Sequence, residues 1–131
     1  MESHFEKIKN YLIELGHDIT YENTEDEVFV VNDNELGLQN LVLGCADPIL
    51  IIEQYLFDIK ADNIDAYRFL LESNRTIIHG AFVLDEEGTK VIFRDTLQIE
   101  NLDLNELEGT INSLSMLLSE HATELIKFSH Q

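Results

Sequence analysis

The chain has 131 residues with 26 acidic against 8 basic side chains, a net charge of −18 and a pI near 4.3. At 44% hydrophobic and 26% charged it has the composition of one globular domain over residues 1–131, long enough to bury about two-thirds of its unfolded surface. Such a negative field repels phosphate backbones and anionic lipid, so the sequence predicts no nucleic-acid or membrane partner and favours basic ones.

The N-terminus, Met1 to Lys7, is acidic and has no apolar signal-peptide region. The longest aliphatic run, Ile49 to Ile52, is far shorter than the ~20 residues a bilayer span needs, so a cytoplasmic location is expected. Ser3-x-x-Glu6 reads as a capping box, and Phe5, Ile8, Leu12 and Leu15 form one helical stripe that Gly16 can terminate. From Asp18 the pattern becomes β: Ile19 to Tyr21, Val28 to Val31, and Leu36 to Cys45, with Gly37 and Gly44 as bend points. Asp47-Pro48 interrupts. Ile49 to Ile59 follows as a strand, with Ile49, Ile51, Tyr55, Phe57 and Ile59 expected on its main apolar face and Leu50, Ile52 and Leu56 opposite.

Asp62-x-x-Asp65 opens a middle helix whose apolar side is read as Ile64, Tyr67, Leu71 and Leu70, ending near Asn74 or Arg75. The clearest stretch runs from His79 to Asn101. Phe82 and Leu84 alternate with Ala81 and Val83, Asp85-Glu86-Glu87-Gly88 makes a turn, and Val91, Phe93, Leu97 and Ile99 share one side of the return strand. Asp103-x-x-Glu106 opens a last helix, its stripe running through Leu104, Leu107, Ile111, Leu114, Leu118, His121, Leu125 and Phe128. The order is α-β-β-β(β)-α-β-β-α, and the clustered strands predict an α+β fold with an antiparallel sheet. The first and last helices are expected to cover it.

No stretch carries recognisable catalytic chemistry. The five histidines, at 4, 17, 79, 121 and 130, form no helical ligand pair, so no metal is expected. His121 is read as a histidine at the edge of the core. Cys45 is the one cysteine, which excludes an internal disulfide, and its neighbours Leu43-Gly44-Cys45-Ala46 read as strand rather than as a nucleophile's setting. Asn32 to Gly37 and Asp103 to Leu107 fail as calcium loops because leucines occupy ligand positions. No phosphate-cradling glycine array is present, so no cofactor and no enzymatic activity are expected.

Two segments carry more apolar surface than one core can use. Tyr67, Phe69, Leu70 and Leu71 cannot all face one sheet, since residues 69 and 71 lie about 200° apart around a helix. Leu50, Ile52 and Leu56 oppose the main face of their strand, and Ile92 shares the side of Lys90, Arg94 and Gln98. The expectation is a homodimer or partner contact through Tyr67, Phe69, Leu50, Ile52, Leu56 and Ile92.

Gly80, Phe82, Leu84, Asp85, Gly88, Val91, Phe93, Arg94 and Leu97, together with the order of elements, resemble the central motif of YbjN-domain proteins. These in turn are similar to type III secretion chaperones of the Tir-chaperone (CesT) kind. The resemblance covers nearly the whole chain. It implies an α+β, commonly dimeric domain that is chaperone-like and binds an extended segment of a partner protein along apolar patches and a sheet edge. The alternative from composition is a regulatory or immunity-type protein whose acidic surface masks a folded basic partner.

Overall fold

In the computed structural model, which describes residues 2–131, local signals start each element and a single inward face joins them. Helix α1 spans His4–Glu14: the Ser3 hydroxyl accepts the Glu6 N–H at 3.1 Å, and the helix buries Phe5, Ile8 and Leu12. Gly16, at φ +81, ends it, with the His17 N–H donating back to the Leu12 carbonyl. Strands β1 (Asp18–Asn23), β2 (Val28–Asp33), β3 (Leu38–Ala46) and β4 (Ile49–Asp58) follow as a meander. Helix α2 (Ile64–Asn74) leads to the hairpin of β5 (Ala81–Leu84) and β6 (Lys90–Gln98). Helices α3 (Leu104–Glu120) and α4 (Ala122–Ser129) complete the chain.

The six strands form one sheet in the order β1-β2-β3-β4-β6-β5, every pair antiparallel. Phe29, Val31, Leu41, Leu43, Leu50, Ile52, Val91 and Phe93 point to one side and join the buried residues of the helices in a single core. Phe5 of α1 stacks on Phe29 of β2 at 4.2 Å between ring centroids. The expected cover holds: Phe5, Ile8, Leu12, Leu107, Ile111 and Leu114 are buried, and Leu118 is half-buried against that core.

Three expectations are corrected. The first is the facing of β4, where Leu50 and Ile52 are fully buried while Ile49 and Ile51 are only half-buried and Tyr55 is exposed. Residues paired across an antiparallel ladder share a face. Leu50 opposes Leu97 and Gln54 opposes Phe93, so the inward set of β6 dictates that of β4. A bulge between Tyr55 and Phe57 then resets the alternation, bringing Phe57 and Ile59 inward.

The second concerns α2. Its buried side is Ala66, Leu70 and Ser73, whereas Ile64 and Leu71 are 74% and 73% exposed. Its cap is Asn63, whose side chain accepts the Ala66 N–H at 3.1 Å, rather than Asp62. The third is the last helix, which breaks at His121 (φ −109, ψ 13) into α3 and α4. Burial shifts from the expected Leu118 to Leu117 on the way into the break. There the His121 ring meets Phe69 and Phe82 edge-on, at 5.5 and 6.5 Å.

Of the two predicted bend points, Gly37 takes a left-handed conformation (φ +78) after a short 3-10 turn at Asn34–Leu36, whereas Gly44 lies in regular ladder between Val28 and Ile51. The larger irregularity of β3 is Asn40, at φ +52. Pairing of β3 with β4 runs from Ala46↔Ile49 only as far as Val42↔Glu53. Past that point the Gln54 side chain fills the gap, accepting the Gln39 N–H at 3.1 Å and donating to the Gly37 carbonyl at 3.0 Å. A buried amide is tolerated there because both its ends are bonded.

Candidate partner-binding surface

Helices cover only one side of the sheet. The other side presents Tyr21, Val28, Val30, Val42, Ile51, Tyr55, Ile92 and Val83, none of them fully buried. Near its middle the Arg94 guanidinium pairs with the Glu53 carboxylate directly across the β4–β6 ladder. At one end Asp58 accepts from the Tyr55 hydroxyl (2.8 Å) and from Lys90 Nζ (3.3 Å), and Lys90 lies 5.6 Å from the Tyr55 ring centroid. These partners hold the Asp58 carboxyl below the ordinary carboxylate range and raise Lys90.

The two sheet edges differ. The edge of β5 is occupied at its centre by the Asn74 side chain, whose oxygen accepts the Phe82 N–H at 2.7 Å and whose nitrogen donates to the Phe82 carbonyl at 3.0 Å. One side-chain amide there takes the place of a neighbouring strand. On the opposite edge, β1 pairs only with β2.

Beside β5, helix α2 leaves a cleft of about 450 Å³ lined by Tyr67, Leu70, Leu71, Phe82, Val83 and Leu84. Leu71 and Leu84 remain 73% and 41% exposed on its rim. The Tyr67 hydroxyl sits 2.7 Å from the Gly88 carbonyl, tying this helix to the β5–β6 turn. A second cleft, about 300 Å³, lies between the Thr76–His79 segment and α3, with Ile78 and Met116 exposed. A third, about 280 Å³, opens where β3 leaves β4 and includes Leu56, Gln54 and Ile126.

The six residues expected at a contact therefore lie in different places. Leu50 and Ile52 have no exposed surface, so they are core residues and a correction to that expectation: the ladder with β6 turns them inward. Phe69 is half-buried, 5.5 Å from both His121 and Phe128 between ring centroids, and serves to dock α4. Tyr67 lines the 450 Å³ cleft, Leu56 the 280 Å³ cleft, and Ile92 lies on the open sheet face between Tyr55 and Val83.

Sequence reasoning missed Leu71 and Leu84 as surface residues. A signal for Leu71 was present: Ala66, Leu70 and Ser73 recur at spacings of four and three, and small residues let a helix approach its support closely, which leaves Leu71 off the buried stripe.

No group of three or more His, Cys, Asp or Glu side chains suited to a metal occurs among the described residues. Cys45 is half-buried, and burial, with the Glu27 charge adding, pushes its thiol up to about 11. No described helix is long and apolar enough to cross a membrane.

The family model CesT_Tir_1 matches residues 1–131. No curated protein matches the chain at a significant level. Among solved structures, E. coli YbjN superposes with a TM-score of 0.70 at 11% identity, over 92% of each chain. The Yersinia pestis type III secretion chaperone SycH, solved in complex with a stable fragment of YscM2, matches at TM-score 0.58 and 15% identity, over 97% of this chain and 100% of that one. A chain of the HopA1–SchA chaperone–effector complex matches at 0.61 and 12% identity, over 97% and 94%. At these identities the likeness is one of fold.

Proposed function

The chain belongs to the CesT_Tir_1 family, and from that premise we propose that it is a non-enzymatic, cytoplasmic, chaperone-like module that works as a homodimer and holds an extended segment of a partner protein. The observation that carries the reading is the cleft between α2 and β5. It is the largest of the three clefts described, its lining is almost wholly apolar, and it leaves Leu71 and Leu84 in water. Uncovered leucines side by side at a concave site suit apolar side chains of an incoming segment, which a groove binder reads at a few anchor positions. SycH with its YscM2 fragment and SchA with HopA1 show that proteins of this fold are found with protein partners.

The test is to recover the native complex through a tag on this chain and digest it with protease. Protection of one contiguous partner segment, which rebinds as a synthetic peptide and loses affinity about tenfold or more to a Leu71→Glu chain, supports the reading. Protection of a whole folded basic domain, released by moderate salt and indifferent to Leu71→Glu, would replace it with the acidic-masking alternative.

A further inference from the structure

We infer that the segment held in the α2–β5 cleft carries a lysine or arginine directly to one side of its apolar anchors, seated over the β5–β6 turn. The inference rests on the groove reading above and specifies the chemistry of what enters it. Its basis is that the two ends of the cleft differ in charge. At one end the Tyr67 hydroxyl lies 2.9 Å from the Ala61 carbonyl and 2.7 Å from that of Gly88, so the loop before α2 and the β5–β6 turn meet there. Those stretches bring together Asp58, Asp62, Asp65, Asp85, Glu86 and Glu87, against Lys60 and Lys90. Lys90 is committed to Asp58 at 3.3 Å. The Asp85 carboxylate is folded into its own turn, accepting the Thr89 and Lys90 N–H groups at 2.9 Å. Among the described residues, Asp62, Asp65, Glu86 and Glu87 pair with no lysine or arginine, and all four are exposed.

The other end is reached at Asn74, whose amide is bonded to Phe82. The next residue, Arg75, is exposed and outside any ion pair among the described residues, while Arg68 and Glu72 offset each other at 3.8 Å. From Tyr67 to Asn74 the helix rises about 10 Å, the length of about three extended residues. An apolar stretch that fills this length leaves one flank beside free carboxylates and the other beside a guanidinium. A cation is attracted on the first flank and repelled on the second. The net charge of −18 alone would favour cations on both flanks. One-sided placement comes from the cleft.

Selection from a display library of random peptides against this chain tests the inference. The selected sequences should carry lysine or arginine on one fixed side of their apolar anchors, about fivefold more often than on the other side. Reversing the turn with Glu86→Lys and Glu87→Lys together should erase that bias and weaken a selected peptide about tenfold. Both residues are exposed in a turn, so the fold is not at stake, and circular dichroism checks this. Glu25→Lys with Glu27→Lys, in the β1–β2 turn at the opposite edge of the sheet, changes the net charge equally. That distant reversal should alter affinity less than about twofold, because salt at about 0.15 M screens charges over ~8 Å. Leu71→Ser, which adds no charge, should weaken the selected peptides about tenfold. A bias equal on both sides, or a distant reversal as damaging as the near one, overturns the inference, and the groove reading stands if Leu71→Ser still weakens binding. Selected peptides indifferent to Leu71→Ser, or no enriched peptide at all, would end both.

Discussion

At the scale of single residues, the tightest constraint is the contact of Gly80 with Phe93. Gly80 has φ +82, and a Cβ added there would lie 2.5 Å from the Phe93 ring. Both the backbone conformation and the space exclude a side chain. Gly80→Ala should therefore lower stability by ~1–3 kcal/mol, and Phe93→Ala, which empties a fully buried position, by ~3–5 kcal/mol in urea unfolding. In the Phe93→Ala background the Gly80 substitution should cost less, because the clash has gone; equal costs in both backgrounds would show that φ alone matters. Cys45 makes a second prediction. With its thiol pushed up to about 11, labelling at neutral pH should be slow and rise about tenfold per pH unit until that value is approached. A group raised in the folded state contributes stability that is full below its unfolded value, about 8.5, and lost as pH climbs through the folded one. The fall in stability between roughly pH 9 and 11 should thus be shallower in Cys45→Ala than in wild type.

At the scale of elements, α2 acts as a bracket rather than a layer. Its last residue, Asn74, closes the edge of β5, and Phe69 holds α4. Removing the amide in Asn74→Ala leaves the Phe82 backbone groups without those two bonds, which should lower stability by ~1–3 kcal/mol. Amide exchange at Phe82 should accelerate with it; an unchanged rate would mean that water or another group had taken over. Phe69→Ala should free α4 selectively. Exchange should rise across residues 122–129 while α3 stays protected, because α4 is a short helix that depends on its apolar docking through Leu125 and Phe128.

At the scale of the whole molecule, net charge sets the balance. A charge of −18 on one small chain repels itself, and salt screens that repulsion, so the melting temperature should rise between about 0.05 and 0.5 M sodium chloride.

The sequence by itself determined the order of elements up to the last helix, the inward set of β6 and the stripe of α1, because caps and residue spacing act over a few positions and need no distant partner. The family resemblance at Gly80 to Leu97 could be read for the same reason: a hairpin between two alternating strands is a local object. Only the tertiary structure decided which side of β4 faces the core. Its residues are apolar on both sides, so the alternation is ambiguous until the ladder with β6 and the bulge before Phe57 settle it. Likewise Phe69 and Leu71 were both apolar candidates on α2, and packing against α4 half-buried one and left the other in water. The Glu53–Arg94 pair belongs to this second kind. Glu53 and Arg94 are 41 positions apart and become neighbours only when their strands pair, which makes a surface property out of a long-range contact.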